Sequence, residues 1–185
     1  VNQIITVPCS ANDENAPLLK GSVTLPTDYA PPSRSTNDDG GDAATKFSNP
    51  ALYVTCRPDR PDNVPAAVLN GSRGKPPPVL AARFENPVFP FEFTLSSKDL
   101  TVEGASTTTT DGRIEEGGVV GDGYWWRKDD LIVSARFDSD GVAATRSPDD
   151  LVGRGVYKVK DGDTSVTVSL VGRGAFGKFA TGKNR

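Results

Sequence analysis

The chain has 185 residues, 36% apolar and 24% charged, enough for one domain with its own core and no dependence on metals or many disulfides. A net charge of −3 and a pI near 5.0 exclude general nucleic-acid binding, which requires a concentrated basic face. No apolar run approaches the roughly 18 residues of a membrane helix, so membrane contact is expected only through a partner.

Along the chain, the first strand candidates are Gln3 to Val7, stopped by Pro8, and Gly21 to Leu25, stopped by Pro26. Residues 27–49 form a long polar loop whose low hydrophobicity predicts mobility unless it is held against the domain or another chain. Further strands are expected over Leu52 to Cys56, Val79 to Phe84, Phe91 to Leu95, Leu131 to Phe137, Val156 to Val159 and Ser165 to Val171. Each alternates apolar and polar residues or is rich in β-branched ones, and Pro or Gly clusters separate them. No amphipathic segment of helical period exceeds about two turns, and a second long loop is expected over 101–123. The pattern predicts a single all-β domain spanning 1–185, an antiparallel two-sheet β-sandwich with long polar loops. The pentapeptide Leu-Val-Gly-Arg-Gly occurs at Leu151 to Gly155 and again at Leu170 to Gly174, an offset suited to the arms of a hairpin, with the glycines expected at bends.

The absence of histidine removes Ser/His/Asp and Cys/His machinery, imidazole metal ligands and the ordinary near-neutral proton carrier. Carboxylates remain, and Asp129, Asp130, Asp138, Asp140, Asp149 and Asp150 cluster around one strand. They sit in RKDD, DSDG and SPDD, where Asp serves turns by bonding the local backbone, and the turn reading is preferred over catalysis or ion binding. Near the end, Gly172, Gly174 and Gly177 fit G-x-G-x-x-G, but Phe179 stands where a phosphate loop needs Ser or Thr and no room is left for the required helix. No catalytic residue, cofactor or metal is expected.

Cys9 and Cys56 are the only cysteines; a bond between them would suit an oxidising compartment, and their apolar neighbours equally suit two buried thiols. Asn70 to Ser72 is a glycosylation sequon of a kind that often arises by chance. The chain starts at Val1 and lacks Met, which is expected of a mature form after removal of a targeting segment.

Contact is the chemistry that the remaining side chains suit. Tyr124, Trp125 and Trp126 followed by Arg127 and Lys128 combine the residue types that most often anchor interfaces. The alternative assignment puts one Trp in the core and the other over its rim. Phe89 and Phe91 lie in FENPVFPFEF, where prolines hold an extended edge that a partner strand can join. The basic tail, 172–185, carries Arg173, Lys178, Lys183 and Arg185 with no acid, as a solvated end or a dock for an acidic surface.

The segments ALYVTCRPD (Ala51 to Asp59), PPVLAARFENPVFPFEFTLSSKDL (Pro77 to Leu100) and LIVSARFDSDGVAATRSPDDLVG (Leu131 to Gly153), with GSVTLP (Gly21 to Pro26) before them, resemble the C-terminal β-sandwich domain of cytochrome c biogenesis factors of the CcmH/CycH type. The resemblance covers about two thirds of the chain. It implies a sandwich from the apparatus that handles apocytochrome c, where the domain is usually fused to helical repeats and a membrane anchor. Neither has a counterpart in this sequence, so the expectation is a sandwich reused alone. The expected role is a non-catalytic extrinsic accessory subunit bound to subunits of a larger, energy-transducing membrane complex of photosystem type, in a plastid at the thylakoid. Alternatives are a cytochrome c maturation chaperone, a secreted or periplasmic location, and a glycan-binding or carboxylate-based hydrolytic sandwich.

Overall fold

The computed structural model describes residues 16–27, 29, 49–60, 64–65, 68, 76–108, 114–115, 124–144 and 150–172. The Gln3 to Val7 candidate, most of the 27–49 loop, Cys9, the sequon, Asp149 and all of the basic tail beyond Gly172 lie outside them.

Two sheets pack face to face as a β-sandwich. Strands β1 (Pro17–Thr24), β2 (Ala51–Pro58), β3 (Leu80–Glu85) and β4 (Phe91–Ser96) come first. A 3-10 turn (Ser97–Asp99), a short helix α1 (Val102–Ala105) and the paired strands β5 (Thr107–Thr108) and β6 (Ile114–Glu115) follow. The chain then forms β7 (Leu131–Asp138), β8 (Leu151–Tyr157), β9 (Val166–Ser169) and β10 (Val171–Gly172). One sheet has the order β4-β1-β9, the other β10-β8-β7-β2-β3.

Alternation decides which side chains enter the core. Leu19 and Val23 of β1, and Phe93 and Leu95 of β4, face Leu52, Val54 and Cys56 of β2 and Val133, Ala135 and Phe137 of β7; all are buried. Burial of each large aliphatic side chain contributes roughly 1.5–3 kcal/mol, and this dry layer is the main source of stability. Phe84 meets Phe91 at a centroid distance of 5.0 Å, closing the core on the side where β3 passes to β4. All ladders are antiparallel among the described residues except β1–β9, which is parallel, with Gly21 opposite Val166. Alternation marks a strand but carries no direction, so this ladder could not be read from the sequence.

Four local expectations are corrected. The expected strand Val156 to Val159 is the tail of β8, which begins at Leu151. Its glycines are not bends: a Cβ on Gly153 would lie 2.4 Å from the Ser169 carbonyl oxygen and one on Gly155 2.7 Å from that of Thr167, so both permit β8 and β9 to approach closely. The two pentapeptide copies do meet as antiparallel partners, Val171 opposite Val152 and Gly172 opposite Leu151. The expected strand Ser165 to Val171 divides at the buried Leu170, where the chain leaves one sheet for the other. The expected loop 101–123 holds α1 and the β5–β6 pair in its described part.

A candidate docking cleft beside Trp126 and Arg127

The turn from Tyr124 to Asp129 is closed by the amides of Arg127 and Asp129, which donate to the carbonyls of Tyr124 (3.0 Å) and Trp126 (3.0 Å). It splits the aromatic run by location. Tyr124 and Trp126 stack with centroids 5.6 Å apart and planes 11° from parallel, and both are buried. Trp125 is half-buried at the rim, Arg127 is half-buried, and Lys128 is exposed. One Trp therefore fills the core and the other covers its edge.

Both indoles are held by α1. Trp125 Nε1 donates to the Glu103 carbonyl at 2.9 Å and Trp126 Nε1 to that of Gly104 at 2.8 Å. The helix is fixed in turn: Thr101 Oγ1 accepts from the Gly104 amide at 3.0 Å and donates to the Pro78 carbonyl at 2.6 Å. A Cβ on Gly104 would lie 1.8 Å from the Val79 carbonyl oxygen, so no side chain fits there. A buried indole N–H requires a partner, and the last carbonyls of a short helix supply one at no cost to a ladder.

Between the turn and the sheets lies a cleft of about 140 Å³ lined by Leu18, Trp126, Arg127, Leu131, Tyr157 and Val159. Leu131 and Tyr157 are direct partners in the β7–β8 register, and Arg127 reaches over β1 to donate to the Leu18 carbonyl at 3.0 Å. Small-molecule sites usually need some 300–1,000 Å³, so this cleft suits a single inserted side chain. Burial pushes the Tyr124 phenol above its ordinary range, opposed by the nearby Arg127 charge, so Tyr124 stays neutral at physiological pH. The cleft thus presents one fixed cation over an apolar floor.

The other predicted contact residues lie elsewhere. Phe89 packs edge-on against Phe137 at 5.3 Å, and Phe91 packs on Phe84; both are half-buried at the opposite flank of the core. Arg173, Lys178, Lys183 and Arg185 fall outside the described residues.

Asp138 and Asp140 serve the turn that follows β7. Asp138, fully buried, accepts from the amides of Asp140 (3.3 Å) and Gly141 (3.0 Å) and pairs with Arg136. Gly141 has φ +70°, a value that favours glycine. Asp140 accepts from the Val142 amide at 2.8 Å, Asp130 from that of Lys160 at 3.4 Å, and buried Asp150 lies 3.5 Å from Arg136 Nε. Among the described residues no group of three or more His, Cys, Asp or Glu is placed to hold a metal ion. Cys56 is a free thiol inside β2, pushed up to about 12 by burial, and so is inert as a nucleophile at neutral pH.

The chain matches none of the protein-family models, curated proteins or solved structures with which it was compared. The likeness to the cytochrome c biogenesis domain rests on its motif residues alone. Sequence reasoning missed Leu18, Leu131, Tyr157, Val159 and the two α1 carbonyls. Strand register brings the first of these together, and a helix of one turn has no period to detect.

Proposed function

We propose that this chain is a non-catalytic accessory subunit that docks on a larger assembly by receiving a partner side chain in the cleft beside Arg127. The observation that carries this reading is the crowding of Trp126, Arg127 and Tyr157 around an opening sized for one residue, because Trp, Tyr and Arg are the side chains in which binding energy concentrates. Lys128, exposed next to them, adds positive charge at the edge. The assembly we propose is an energy-transducing membrane complex of photosystem type, with the chain attached peripherally at the thylakoid of a plastid. The acidic body supports a peripheral position, as does the lack, among the described residues, of any helix long and apolar enough to cross a membrane.

Native gels of membranes from the source organism test this directly. The chain is expected to co-migrate with a membrane complex and to leave it on high-salt washing. Arg127→Ala combined with Tyr157→Ala is expected to weaken attachment by about tenfold or more, since each removes a side chain that lines the cleft. A chain that runs alone before any washing contradicts the proposal.

A second reading, a chaperone for an apocytochrome segment, is favoured by one feature. Strands β3 and β4 are the edges of their sheets on the same flank, joined through Asn86 to Pro90. Such edges accept an added strand. Calorimetry with an apocytochrome c peptide is expected to show binding if this reading holds, and no heat would remove it.

A further inference from the structure

We propose that the outward face of the five-stranded sheet is a docking surface for an acidic protein segment, and that it sets the orientation in which this chain meets its partner. The inference rests on the accessory-subunit reading and names a second contact for it, remote in sequence from Arg127. Register places the outward side chains in rows across the strands. One row runs Arg83, Tyr53, Arg136, Val152; the next runs Ala81, Thr55, Ser134, Arg154; a third holds Arg57, Ile132 and Val156. No carboxylate stands in any of these rows, although acids outnumber bases in the chain as a whole. The acids on these strands, Glu85 and Asp138, flank Ala51 at one end of the sheet and pair with Arg83 and Arg136. Asp150 lies behind Arg136 in the same network.

The rows differ in what they offer. Tyr53 lies between two guanidinium groups, Arg136 at 5.5 Å and Arg83 at 5.9 Å from its ring centroid, and its hydroxyl donates to the Gly141 carbonyl at 3.2 Å. That row is a rigid wall. The second row is low and hydroxylated, with Thr55 and Ser134 between the exposed Ala81 and Arg154. Arg57, beyond it, is steadied by donating to the Pro76 carbonyl at 3.1 Å, and Val156 beside Ile132 is 49% exposed. The loop from Gly141 to Ala143 crosses the first row, accepting from Tyr53 and Arg136, and in the second row Ala81 and Arg154 are exposed. A shallow trough of small side chains with Arg154 at one end, Arg57 in the next row and valine beyond fits an extended segment carrying Asp or Glu, because guanidinium groups bind carboxylates in a fixed two-point geometry. A partner of like sign is repelled by the rest of an acidic chain, so this face fixes which way the two meet.

The test uses the purified chain and poly-L-glutamate, read by amide chemical shifts at low salt. Shifts are expected at Thr55, Ser134 and Arg154, absent at Ser22 and Thr167 on the opposite sheet, and abolished by high salt. Arg57→Gln with Arg154→Gln is expected to weaken binding about tenfold or more. Ser134→Glu, which removes no arginine, is expected to do the same if the double variant does not fold. Unshifted amides on this face, shifts centred on the opposite sheet, or binding to phosphatidylserine vesicles but not to poly-L-glutamate would each overturn the proposal. Because the probe is a simple polymer, those results leave the native-gel test of the accessory-subunit reading standing on its own.

Discussion

The outward faces of the two sheets are built from different chemistry. On the three-stranded sheet, Ser22, Thr24, Thr94, Thr167 and Ser169 face outward, with Ser22 donating to Thr167 at 3.4 Å and Thr24 to Ser169 at 3.3 Å. These are exposed contacts between neutral groups that water replaces at little cost. On the five-stranded sheet, Arg136 ties Tyr53, Asp138, Asp150 and the Ala143 carbonyl into one network whose acids are buried. The first face solubilises the fold; the second combines stability with a surface that has a preferred partner sign.

The largest expected effect separates the faces outright. Arg136→Ala leaves Asp138 and Asp150 buried without their cation, and is expected to cost about 3–5 kcal/mol in chemical denaturation. A loss below about 1 kcal/mol would mean that the network is decoration.

The next test acts through the inner face of the same sheet. Below about pH 9 the Cys56 thiol is protonated whether the chain is folded or not. Above that, the unfolded thiol ionises while the folded one keeps its proton until about pH 12, so the unfolded state gains and stability falls as pH rises through this window. The slope from this group approaches about 1.4 kcal/mol per pH unit, and Cys56→Val is expected to remove it. An unchanged pH profile in the variant would contradict the burial assigned to β2.

The smallest effects compare hydroxyls. Tyr53→Phe loses bonds to Gly141 and Arg83 and is expected to cost about 1 kcal/mol. Ser22→Ala, on the other sheet, is expected to stay within about 0.5 kcal/mol of the parent in the same melts. Equal costs would erase the distinction between the faces.

Much of this contrast was legible in the sequence, and the limits follow from physics. Strands β2, β4 and β7 lie within two residues of their expected bounds, because each alternates cleanly with one face buried. In the sequence β8 reads only as Val156 to Val159, because Gly153 and Gly155 resemble turn residues when their neighbours across the sandwich are unknown. The aromatic run marks contact residues and offers one Trp for the core and one for its rim, yet not that Trp126 is the inward one, since that depends on carbonyls of α1. The arginine rows were invisible: Arg57, Arg83, Arg136 and Arg154 come from separate strands and share a face only through register.

Cross-linking mass spectrometry on intact membranes from the source organism weighs the central claim of docking through the cleft most directly, because two exposed lysines mark the alternatives. Lys128 stands beside Trp125 and Arg127, and Lys20 projects from the three-stranded sheet. The account predicts frequent links from Lys128 to another polypeptide and few from Lys20. Links to other chains that favour Lys20, or none from either residue, would contradict it.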